Sequence, residues 1–232
     1  ALLIASVVFF VKNARRIRRN ILLGQDIEIK DRGSERWKTM LLVAIGQQKM
    51  ITRPLSAILH IFVYVGFVLI NIEVLEMMID GLFNMHRALS FMGGFYNFLI
   101  GFFEILALLV FIGVVAFWLR RNAGHIKRFM SSDLKGWPRM DANNILYAEM
   151  VLMSALMFMN AADQTLQARG HEHYHTAGSF PISQFFVPFV DGLSDGSLVF
   201  IERFTWWLHI VGIFAFLNYL PLKTPAYFIG FS

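Results

Sequence analysis

Apolar residues run along the chain in five blocks, at about 1–13, 54–80, 96–119, 143–163 and 203–222, separated by charged stretches. None of the blocks sustains an alternation of period two, which excludes strands. Four are long enough to carry a helix across a hydrocarbon core of roughly 30 Å, and the second needs tilt to fit. The first block opens without Met or a polar lead-in, and basic "KNARRIRR" follows it rather than preceding it. A signal peptide has the reverse order. The block therefore reads as the tail of a helix whose start is missing, and the abrupt end at "YFIGFS" reads as a second truncation. The expectation is an all-α integral membrane protein, a five-helix transmembrane bundle forming a single domain over 1–232.

Composition agrees with the pattern. The chain is 56% hydrophobic and has 24 Phe, more apolar surface than a water-soluble domain of 232 residues can hide. There is no Cys, which excludes disulfides, thiolate zinc sites and cysteine-ligated iron–sulfur clusters within these residues. The net charge of +5 would suit nucleic acid, but its placement argues for a membrane. Residues 12–53 hold eleven Lys or Arg against four acids, and 120–141 hold six against two. The positive-inside rule puts loops 14–53 and 120–142 in the cytoplasm and loop 164–202 in the periplasm. Trp118, Trp206, Trp207, Tyr147 and Tyr219 lie near span ends, where interfacial aromatics gather.

Several polar side chains interrupt the apolar blocks. His60, Asn71 and Glu73 lie in the second, Glu104 in the third, Glu149 in the fourth and His209 in the fifth. Ionisable groups inside a span are costly, which makes each a functional candidate. Neutral imidazole in a helical bundle suits axial ligation of haem iron, its second ring nitrogen anchored by an acceptor. The alternative is a histidine that only hydrogen-bonds a neighbouring helix. Measured from the span ends, His60 lies near the cytoplasmic face and His209 near the opposite one, which does not suit one shared haem. His86 is then a candidate partner for His209, and His125 for His60. Asn71, Glu73, Glu104 and Glu149 are candidates for quinone binding or proton handling, or else polar contacts between helices. His171, His173 and His175 alternate in "RGHEHYHTAG", a weak surface-metal pattern that reads more simply as a polar loop.

Four segments carry a family resemblance: "RPLSAILHIFVYVGFVLINIEVLE", "GGFYNFLIGFFEILALLV", "GWPRMDANNILYAEMVLM" and "IERFTWWLHIVGIFAFLNYL". Together they resemble the haem b membrane domain of the respiratory nitrate reductase gamma-subunit superfamily and the membrane subunits of heterodisulfide reductase. The likeness is strongest to the N-terminal membrane domain of Bacteroidetes-type dicluster iron–sulfur oxidoreductases. It implies a bundle of the gamma-subunit type in a bacterial inner (cytoplasmic) membrane, followed by an iron–sulfur domain that is missing here. One or two b haems would be held by His60 and His209, with His86 a possible further ligand. Quinone would be the substrate, and an iron–sulfur partner or domain on the cytoplasmic side would exchange electrons with it alongside other subunits of a membrane complex. The family's remaining histidines do not carry over: position 70 is Ile and position 227 is Tyr. The alternatives are a cofactor-free structural anchor of a larger respiratory complex and an ion-coupled transporter. Against the transporter, no internal repeat or Gly/Pro-broken pair of spans is evident.

Overall fold

The structure, a computed structural model, describes residues 1–24, 31–46, 54–124 and 136–229. Loop residue His125 lies outside them. Among the described residues the fold is all-α, with seven α-helices: α1 (Leu2–Ile21), α2 (Gly33–Met40), α3 (Pro54–Phe83), α4 (Gly94–Asn122), α5 (Trp137–Ala168), α6 (Val187–Val190) and α7 (Asp195–Ile229). The chain divides into two compact units, one of Ala1–Ile51 with Val211–Ser232, the other of Thr52–Ile210.

Among the described residues four helices, not five, are long and apolar enough to cross a membrane: Pro54–Phe83, Gly94–Asn122, Arg139–Ala168 and Asp195–Tyr219. The expected fifth, α1, is not among them. Helix α1 is apolar only as far as Val11, after which Lys12, Arg15, Arg16, Arg18 and Arg19 occupy its second half. This is the build of a multi-pass membrane protein with four candidate spans.

The larger unit shows amphipathicity turned to suit lipid. Ile58, Ile61, Val65, Val68, Ile72 and Leu75 form one exposed stripe on α3 at spacings of three and four, while Gly66, Ile70, Glu73, Val74, Glu76 and Met77 are buried. The exposed face is thus the apolar one, and the carboxylates turn inward, as expected where the outer solvent is hydrocarbon. Helices α3 and α4 approach closely through small residues. A Cβ at Gly66 would collide with Val110, and one at Gly113 would sit 3.1 Å from Val63 Cγ2 and 3.4 Å from the Leu59 carbonyl oxygen. Small residues at such crossings let backbones approach and gain dispersion contacts that lipid cannot supply better.

The spans found by hydropathy are shorter than the helices that contain them. Helix α5 begins at Trp137, six residues before the expected 143, with Pro138 in its first turn. Helix α7 begins at Asp195, eight residues before the expected 203. Both extensions are polar or amphipathic, so they escape a hydropathy reading while remaining helical.

In the smaller unit, the amide of Asn218 donates to the hydroxyl of buried Ser6 at 2.8 Å, joining α1 to the last part of α7.

Candidate functional site

His209 is 2% exposed, and its Nδ1 lies 3.3 Å from the carbonyl oxygen of Leu152 on α5. A carbonyl cannot donate, so this contact fixes the tautomer: Nδ1 carries the proton and Nε2 keeps a free lone pair. Among the described residues Nε2 has no hydrogen-bond partner. A buried imidazole anchored through Nδ1–H, with Nε2 open, is how a protein presents histidine to a metal.

His60 is half-buried on α3, with its ring stacked on Tyr64 one turn further on, at a centroid separation of 6.4 Å. Helix α4 shows how His60 and His209 compare in depth. Its Gly113 lies against the turn of α3 that carries His60. Gly113 is midway between Glu104 and Asn122, which bond Asn160 and Asn143 of α5. The part of α5 abreast of it is therefore near Leu152, the residue that holds His209. By these contacts the turn that carries His60 and the Leu152 contact of His209 lie at about the same depth. The expectation that they sit near opposite faces came from taking residue 203 as the span's start. With α7 starting at Asp195, His209 lies fourteen residues, ~21 Å, into its helix.

The end of the bundle at the α3–α4 turn holds a network of buried charge around Arg87. This residue follows α3 in the left-handed conformation, with φ of 54°, and turns its guanidinium back into the bundle. Its Nε and Nη2 donate to Asp163 Oδ2 at 3.0 and 2.7 Å, and Nη2 donates to Asn160 Oδ1 at 2.8 Å. The Phe180 ring stacks on it at 5.2 Å. Burial opposes the charge on Arg87, but Asp163, Tyr96 and Glu73 outweigh it and raise its pKa well above the usual value. Asp80 caps the turn by accepting from the backbone N–H groups of Arg87 and Ala88. Glu76 accepts from the Leu89 N–H and the Tyr96 hydroxyl, each at 2.9 Å.

Two of the in-span candidates have structural work that occupies them. Glu104 accepts from the Asn160 amide, the backbone N–H groups of Ile182 and Ser183, and the Ser183 hydroxyl, tying the 177–186 segment to α4. Asn71 donates to the Phe67 carbonyl of its own helix. Glu73 differs. It is 2% exposed, Arg87 Nη1 is 3.5 Å from its Oε1, and neither carboxylate oxygen accepts a hydrogen bond among the described residues. Glu149 is half-buried on α5, one turn before Leu152.

His86 does not join His209. Its Nε2 donates to Asp163 Oδ1 at 2.8 Å, and its Nδ1 faces His175 Nδ1 at 3.4 Å. Asp163 is eleven residues beyond Leu152 on α5, which puts His86 ~16 Å from the His209 contact in depth. His173 Nε2 meets Arg203 Nη2 at 3.0 Å, and His175 Nε2 meets the Ser90 hydroxyl at 3.2 Å. Burial, then Arg203 and His86, lower the pKa of His173; burial, then His86, lower that of His175. His171 packs edge-on against Tyr174. Among the described residues, no group of three or more His, Asp or Glu is arranged to hold a metal ion.

Sequence reasoning assigned Arg87 and Asp163 to the outer loop as ordinary charges and passed over Asn160. A signal was available: Asn160 and Asp163 are one turn apart inside an apolar block, the spacing that puts polar groups on one helix face.

Fold and site together define a multi-pass helical membrane protein with a buried polar network and an open in-span imidazole. The chain is 25% identical over 225 residues to the "Probable iron-sulfur-binding oxidoreductase FadF" of Bacillus subtilis, covering 97% of this chain and 30% of that protein. It is 22% identical over 227 residues to the "EtfAB:quinone oxidoreductase" of Syntrophomonas wolfei, covering 95% of this chain and again 30% of the relative. The chain thus spans about a third of the length of these curated relatives. No protein-family model and no solved structure matches it.

Proposed function

We propose that the chain is a b-type haem membrane subunit or domain that passes electrons between the quinone pool and an iron–sulfur partner. The observation that carries this reading is His209, buried mid-span with Nδ1–H on the Leu152 carbonyl and Nε2 open. His60, on another helix, is the proposed second ligand. Haem bound there would supply one-electron outer-sphere transfer, its potential set by ligation, burial and nearby polarity. The chain's own share is to fix the imidazole tautomer and to keep water away from the ring.

The distant relatives support the partners in this reading, since one is named for iron–sulfur binding and the other for quinone. An apolar groove of about 700 Å³ runs beside the His209 turn, lined by residues including Phe111, Phe158, Phe200, Phe204 and Leu208. Its size and aromatic lining suit a membrane quinone with an apolar tail. With Glu104 and Asn71 occupied, Glu73 and Glu149 are the carboxylates left for proton exchange. The basic charge of 14–53 and 120–142 supports an orientation in which these loops face the cytoplasm.

A reduced-minus-oxidised difference spectrum of the purified protein tests the proposal. The expected result is a Soret and α-band signature that His209→Ala abolishes. A wild-type protein without those bands would favour a cofactor-free anchor instead.

A further inference from the structure

Glu73 is a carboxylate buried in a span, and among the described residues neither oxygen accepts a hydrogen bond; Arg87 Nη1 at 3.5 Å offsets its charge, and a water or a proton would satisfy its oxygens. It faces Arg87, Glu76 and Glu104. It also lines a cavity of about 30 Å³ at the end of the bundle by the α3–α4 turn, together with His86, Asp163 and, from α7, Glu202 and Arg203. A buried water needs roughly 10–15 Å³ and two to four polar partners, so this cavity has room for one or two. From the cavity a continuous line of ring nitrogens leads outward. Asp163 Oδ1 accepts from His86 Nε2 at 2.8 Å, His86 Nδ1 faces His175 Nδ1 at 3.4 Å, and His175 Nε2 meets Ser90 Oγ at 3.2 Å. His175 is exposed, so the line begins in bulk water.

We propose that this end of the bundle is a proton path, in which His175 and His86 relay protons between the loop surface and a water-filled cavity beside Glu73. The proposal deepens the quinone reading, because a quinone reduced to quinol takes two protons with its two electrons. The steps balance. A proton reaching neutral His175 makes an imidazolium, whose Nδ1–H passes to the Nδ1 lone pair of His86 and leaves His175 neutral. His86, cationic against Asp163, releases its Nε2 proton through Asp163 to the cavity water. The water then protonates the Glu73 carboxylate, and water-assisted exchange, in which His86 gains a proton at Nε2 and loses the one at Nδ1, restores the starting tautomer. The reverse order carries a proton out. Burial and the neighbouring His86 lower the pKa of His175, so the ring stays neutral at pH 7 and is free to accept. The other groups facing His86 are Asp80, Arg87, His173 and Tyr174.

The test is a pH-jump infrared experiment on the wild-type protein in nanodiscs, following the carboxyl or carboxylate band that Glu73→Gln removes. In the wild type that band should respond promptly. In His175→Phe and His86→Phe it should respond at least about tenfold more slowly, as expected when a positioned acid–base group is lost. His175 is exposed, so His175→Phe tests the relay without threatening the fold. Wild-type rates in both variants, or no band at Glu73 that responds to pH, would overturn the proposal. Haem content, measured on the same preparations, judges the electron-transfer reading separately.

Discussion

Arg87 shows what a single side chain does in this molecule. Its guanidinium joins Asp163 and Asn160 of α5 to the turn after α3, with Glu73 3.5 Å away. Arg87→Ala would leave Asp163 as a buried charge without its main partner, a loss of about 3–5 kcal/mol. Thermal unfolding in detergent should show it as a markedly lowered midpoint. Arg87→Lys should recover only part, because a lysine cannot reach Asp163 and Asn160 with one planar fork. The histidines divide at the same scale. His209→Ala is expected to lose bound haem, whereas His86→Gln should keep it, since His86 is held by Asp163 well away from Leu152. Absorbance at the Soret band checks both. His209 was legible in the sequence because a histidine inside an apolar block is conspicuous. The Arg87–Asp163 pair was not, because charges at a span end look interfacial until the chain folds back over them.

At the scale of the element, α3 and α4 owe their close packing to glycine. Gly66→Leu would force its side chain into Val110 and separate the pair, at a cost of about 1–3 kcal/mol. Gly94→Leu, where an added Cβ meets nothing within 4 Å, should be nearly silent. Comparing the two by chemical or thermal unfolding isolates packing from general tolerance. The helix identities were readable because apolar runs of this length have few other uses. Their ends were not, and the consequence reached the site. The amphipathic start of α7, from Asp195 to Glu202, looks like loop by hydropathy, yet it moves His209 from near one face to mid-span.

For the whole molecule, the strongest sequence-level expectation is its orientation. The chain has no Cys, so single cysteines can be introduced without background labelling. Ser34 and Ser194 are both exposed. In intact cells an impermeant maleimide should label Ser194→Cys and leave Ser34→Cys unlabelled until the membrane is opened. The opposite pattern would invert the assignment of faces. The central claim, that an open imidazole in a bundle distantly similar to iron–sulfur and quinone oxidoreductases holds b-type haem, has a more direct test. Pyridine haemochrome quantification on the purified wild-type chain should give at least one haem b per chain, falling to near zero in His209→Ala. A wild-type value near zero would contradict the account.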